Sequence, residues 1–247
     1  MLLLFVIVST SIIAQDIYSY DTNNEETYYR KSWRVGGFLQ SNGIGFGATL
    51  TNGKQKRSAL LYQFDWAYFF HSNEKKRNSR YTPGDLVKKY YYGKINSLMA
   101  IHAAVGQEII LANKAEKNGV MISFSYAGGF TLGILKPYEL TICTDITNST
   151  CTDFAYMSYD EAGADFLNPD LIIGSAGFGK GWQLKFRPGL HLKTGISFDW
   201  GKASSLIKVI DVGAACDFYF KDLPIMIDNN KAFYPSVYLG FSLGKRK

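Results

Sequence analysis

The sequence is poor in several residue types, and each shortage excludes something. Six prolines and three histidines occur in 247 residues, with three cysteines. Cys143 and Cys151 have no second Cys or His pair beside them, so a structural zinc site of the usual spacing is not expected, and no metal or cofactor is. No G-x-S-x-G motif is present. The net charge of +6 is spread over loops and the C-terminus. There is no basic helix and no aromatic RNA-binding motif, so nucleic acid is excluded as a partner. The basic excess suits anionic lipid head groups better. Beyond the first fifteen residues, no apolar run approaches the ~20 residues that a spanning helix needs. No repeat, low-complexity block or interdomain linker is visible, and the chain reads as one domain.

What is abundant is aromatic and glycine: 15% Phe, Trp and Tyr, with 24 glycines. Both are arranged with a period of two, the signature of β-strands whose side chains alternate between faces. Residues 181–200 place Gln183, Lys185, Arg187, His191, Lys193 and Asp199 on one face. Trp182, Leu184, Phe186, Leu190, Leu192, Ile196, Phe198 and Trp200 lie on the other. Similar alternation predicts strands over 32–40, 44–51, 58–71, 95–111, 120–135, 206–220 and 232–243, eight in all. Ser41-Asn42-Gly43 marks a tight hairpin turn. Residues 136–180 break the period and read as a long loop with a short helix. If residues 138–180 hide another hairpin, the count becomes ten.

Alternation alone does not say which face is inside. A soluble sandwich buries its apolar face, and a membrane barrel turns that face to lipid around a polar interior. Three features favour the second. The apolar faces carry many Trp, Tyr and Phe residues, and eight strands enclose a lumen barely wide enough for side chains. The opposite face, rich in Gly, Ala, Ser and Thr with scattered charges, fits there. With both termini periplasmic, the connections NGKQKR, NKAEKNG and KASS fall on one side and the two longest loops on the other. Short periplasmic turns and long external loops are the asymmetry of outer-membrane barrels. Strands longer than the roughly 9–11 residues needed to cross a bilayer project beyond it. Tyr90 to Tyr92, Trp182 and Trp200, near strand ends, suit an interfacial girdle. The expected fold is all-β: an eight-stranded antiparallel transmembrane up-and-down barrel in the bacterial outer membrane.

The strings YYYGKINSLMAIHAAVGQE and KAEKNGVMISFSYAGGFTLGILKPYEL resemble small outer-membrane β-barrel proteins of Bacteroidetes-type bacteria. The likeness covers most of residues 85–140. It implies a barrel and an address, and no chemistry. The last strand lacks the terminal aromatic common in bacterial barrels.

Residues 1–15 read as a signal peptide, 16–31 as a periplasmic N-terminal segment and 32–247 as the barrel. Export to an oxidising compartment would let Cys143 and Cys151 pair; two free thiols is the other reading. The residues expected inward are Arg34, Asp65, His102, Glu108, Lys185, Arg187, His191, Lys193, Asp199, Asp211 and Asp217. Buried charges persist when paired, so this near-balanced set predicts a plugged ionic lumen that conducts nothing large. An enzymatic alternative needs a His and a Ser at the outer rim, where His71 and Ser72 stand as weak candidates for modifying outer-leaflet lipid. The other alternative is a narrow pore. The basic, aromatic stretch 74–94 either grips anionic groups of lipopolysaccharide or is a solvated loop. Asn148-Ser149-Thr150 has the form of a glycosylation sequon, which means little in most bacteria. The expected partners are outer-membrane lipid, lipopolysaccharide and other proteins of a secretion or outer-membrane assembly machine.

Overall fold

The computed structural model describes residues 31–55, 57–79, 88–113, 119–147, 150–201, 206–228 and 230–246. The leader, nearly all of the N-terminal segment, and Asn148 and Ser149 of the sequon lie outside the described residues. Eight strands form a closed barrel: β1 (Lys31–Gln40), β2 (Gly43–Gln55), β3 (Ser58–Phe69), β6 (Asn96–Ala112), β7 (Met121–Pro137), β11 (Lys185–Asp199), β12 (Leu206–Leu223) and β13 (Lys231–Arg246). Each pairs antiparallel with the next, and β1 pairs with β13 from Ser32↔Arg246 to Gln40↔Tyr238. Closure leaves no strand edge unpaired, which hydrocarbon would not tolerate.

The period of two fixes the faces. Leu39, Phe46, Phe64, Phe130, Leu192, Phe220, Val237 and Leu239 all point outward and are exposed, Phe130 at 72%. Arg34, Asp65, His102, Glu108, His191 and Asp217 point inward and are buried. Water could not stabilise this inversion, since it exposes the bulky apolar side chains and hides the charges. Lipid does, so the barrel spans a membrane. Among the described residues no helix is long and apolar enough to cross one. Glycine makes room for the bulky interior: a Cβ at Gly47 would collide with Asp65 Oδ1, and one at Gly195 with the Tyr238 hydroxyl.

Termini and short turns share one end, and the long connections share the other. There the chain builds a separate cap. It consists of β4 (Lys76–Asn78) paired with β5 (Lys89–Tyr91), and a second sheet of β8 (Leu140–Thr147), β9 (Thr150–Met157) and β10 (Ile172–Ser175) in the order β10-β8-β9. A helical turn α1 (Tyr159–Ala162) and a 3₁₀ segment (Gly163–Leu167) join β9 to β10. Tyr90, Leu140, Ile142, Phe166 and Ile172 form its apolar core.

Three expectations change. Residues 138–180 do hide a hairpin, β8–β9, but it belongs to the cap, so the barrel stays at eight strands. The strand expected over 181–200 begins at Lys185, because Gly181, at φ 72°, turns the chain against Pro137 O. Tyr90 is buried in the cap core and is no girdle residue, since its strand lies outside the barrel wall.

Candidate functional site: the lumen and its cap

The lumen is layered. Nearest the turns, Arg246 pairs with Asp199, which also accepts the Gly201 and Lys208 N–H groups. Above it, Arg34 bridges two carboxylates, Glu108 at 3.6 Å and Asp211 at 3.7 Å. Ser123 donates to Glu108, and Ser197 and Ser242 to Asp211. Lys193 Nζ lies 2.6 Å from Asp65 Oδ2, and 4.8 Å from the centroids of both Phe38 and Tyr238. A cavity of about 40 Å³ remains here, lined by Arg34, Asp65, Lys193 and Asp211. Pairing is what permits these charges to be buried, because removing either partner would strand the other in low dielectric.

The next layer is the His102, His191 and Asp217 cluster. His191 Nδ1 is 2.7 Å, and His102 Nε2 3.1 Å, from the same carboxylate oxygen, Asp217 Oδ1. The two imidazole centroids are 4.2 Å apart. Alternation marked these residues as inward; His191 and Asp217 are register partners on β11 and β12, whereas His102 meets them only through the curvature of the barrel, since β7 separates β6 from β11 in the wall.

An apolar seal follows. Ala67, Phe69, Leu98, Ala100, Leu135, Tyr219 and Leu223 line the mouth at the cap end, and Ile225 and Met226 of the β12–β13 connection drop into it. That connection is pinned: Asn230 Oδ1 accepts the N–H groups of Ile225 and Met226, and Asn96 Nδ2 donates to Pro224 O. The seal was missed from sequence. Its signal was the apolar run LPIMI inside an otherwise polar connection between β12 and β13.

Of the residues expected in the lumen network, Lys185 is corrected. Its ammonium is 2.7 Å from Asp160 Oδ2 on the cap, and both side chains are about half exposed or more, at 49% and 68%. The alternation continues past the mouth, where inward no longer means buried. Arg187 keeps its inward position opposite Gly133, toward the cap end, with Nε buried and without a hydrogen-bond partner among the described residues.

At the rim, His71 Nδ1 accepts the Asn73 N–H and Ser72 is exposed. The His71 N–H donates to Glu74 Oε1, which also holds Lys94 at 2.8 Å. Lys94 is buried among Tyr68, Tyr91 and Tyr138, its ammonium 5.0 to 6.0 Å from their centroids. It ties cap to barrel, as does Lys136, which donates to Lys180 O beside Phe178 and Trp182. Neither lysine was singled out from sequence, since one Lys at a strand end (Lys136) or within a basic stretch (Lys94) carries no signal of burial. Cys143 and Cys151 are joined in a disulfide across the β8–β9 hairpin, and Cys216 is a free thiol on the outer wall.

No protein-family model and no curated protein matches the sequence. Among solved structures, the chain is similar to Ail, the attachment invasion locus protein of Yersinia pestis, solved alone and with the heparin analogue sucrose octasulfate. That match has a TM-score of 0.42 at 10% identity and covers 88% of this chain and 97% of Ail. It is also similar to Neisserial surface protein A (TM-score 0.38, 8% identity, 88% and 95% covered). A third match is the N-terminal barrel domain of Pseudomonas aeruginosa OprF (TM-score 0.35, 6% identity, 87% and 97% covered). None of these bears on the Bacteroidetes-type resemblance of residues 85–140. The barrel itself rests on the pairing of this chain's own strands.

Proposed function

We propose that this chain is a bacterial outer-membrane barrel that transports nothing and acts through its external cap, as a structural or accessory subunit of a larger envelope assembly. The observation that carries this reading is the apolar seal over a lumen filled by buried, largely paired charges, which leaves no path for a solute. A second feature supports it: the long connections are folded on a core of their own and held by a disulfide, which fits an oxidising compartment. The cap presents cations stacked on rings, Arg77 over Tyr92 at 4.2 Å and Lys180 over Tyr156 at 4.9 Å. Such pairs suit anionic groups of lipopolysaccharide or a protein partner. Both termini then face the periplasm.

Two measurements test this. Purified protein in a planar bilayer should give no stable open channel, and a reproducible conductance step would contradict the closed lumen. A photo-crosslinker at Phe154, exposed on the cap, should give one discrete protein adduct in living cells. Adducts to lipid alone would contradict the assembly role.

A further inference from the structure

The lumen is over-supplied with carboxylates. Between Arg187 toward the cap end and the Arg246–Asp199 pair at the other end, Arg34 and Lys193 face Asp65, Glu108, Asp211 and Asp217. Arg34 serves both Glu108 and Asp211, and Lys193 serves Asp65. Asp217 has no Lys or Arg partner among the described residues; only two imidazoles approach it. With neutral histidines, the stretch carries surplus negative charge in a medium that penalises it.

The histidines are also under-satisfied. His102 and His191 are each 2% exposed. Among the described residues, His102 Nδ1 and His191 Nε2 have no hydrogen-bond partner. His102 Nε2, although 3.1 Å from Asp217 Oδ1, is off the line that a hydrogen bond requires. A buried acceptor left without a donor is destabilising, so hydrogen bonding alone accounts poorly for this cluster. One ligand atom from each of His102, His191 and Asp217 lies within 4.8 Å of the other two, close enough to converge on one ion with small side-chain shifts.

We propose that His102, His191 and Asp217 form a binding site for a first-row transition-metal dication in the barrel lumen. Two imidazole nitrogens and one carboxylate oxygen are a borderline donor set that suits zinc or a neighbouring metal and is poor for calcium or magnesium. The ion would supply the charge that Asp217 lacks and engage His102 Nε2, which no hydrogen bond among the described residues uses. It would also cross-link β6, β11 and β12 beneath the apolar seal. Coordination forms two metal–nitrogen bonds and one metal–oxygen bond with no change of oxidation state. Sequence spacing gave no sign of it, because the ligands come from three strands: register pairs His191 with Asp217, and only the curvature of the wall brings His102 to them across β7.

The test uses untagged protein refolded in detergent with zinc, dialysed against metal-free buffer and assayed for bound metal by mass spectrometry. One zinc per chain is expected in the native protein and in His71→Asn, whose ring lies at the rim. The His102→Asn/His191→Asn double variant should lose it while keeping the heat-modifiable gel mobility of a folded barrel. If that variant does not fold, X-ray absorption at the zinc edge of the native protein decides, with outer-shell scattering from two imidazoles expected. Native protein that retains no more zinc than the folded double variant, or a zinc spectrum without imidazole scattering, overturns the proposal.

Discussion

The barrel and the cap are built from one chain by opposite rules. In the cap, Phe166, Leu140, Ile142 and Ile172 are buried, while Asp160 and Lys185 pair in water at its edge. In the barrel, Asp217, His191 and Arg34 are buried, while Phe130, Leu39 and Val237 are exposed. The difference is the solvent. The cap meets water and hides its apolar side chains by the ordinary hydrophobic effect. The wall meets acyl chains, which are as apolar as leucine, so the cost falls on the polar groups and they retreat inward.

The comparison breaks first at Arg34. Arg34→Met leaves Glu108 and Asp211 as buried carboxylates without a cation. It should destabilise the barrel by about 3–5 kcal/mol, read as a lower urea midpoint in lipid vesicles, with the cap disulfide still formed. Leu192, midway along β11, gives the next effect. Leu192→Arg on the lipid face should cost about 2–4 kcal/mol in the same assay. Phe154→Arg on the water-facing cap should stay within about 0.5 kcal/mol. Equal costs for the two would erase the distinction between the surfaces.

Smaller effects sharpen the contrast. Cys143→Ser removes the cross-link of the β8–β9 hairpin and should loosen the cap by about 2–3 kcal/mol, seen as new protease cleavage in the cap with an unchanged barrel midpoint. Lys185→Ala removes a pair exposed to water and should change the midpoint by less than about 1 kcal/mol. A large loss there would return Lys185 to the buried lumen network.

The same contrast governs what could be read from the sequence. Period-two alternation was legible wherever both faces had a distinct solvent, so β3, β6 and β12 matched within a few residues, as did the parity of turns and loops. Inwardness was legible too, for Asp65, His102 and Asp217. It failed at Lys185 because alternation does not report where the mouth ends. The cap was opaque: its strands are short, and Tyr90, Ile142 and Phe166 are drawn together from three separate stretches with no period. The seal was opaque for a related reason, since Ile225 and Met226 act from a turn. The His102–His191 contact required the register of the closed cylinder, which no local pattern encodes.

The central claim is that the aromatic rows touch acyl chains. Trp66 tests it most directly, since it points outward on β3 with its ring 5.2 Å from that of Phe46. A variant retaining Trp66 as its only tryptophan, reconstituted in vesicles with brominated acyl chains, should show strong fluorescence quenching by the lipid and little by aqueous iodide. Quenching by iodide with none from the brominated lipid would contradict the account.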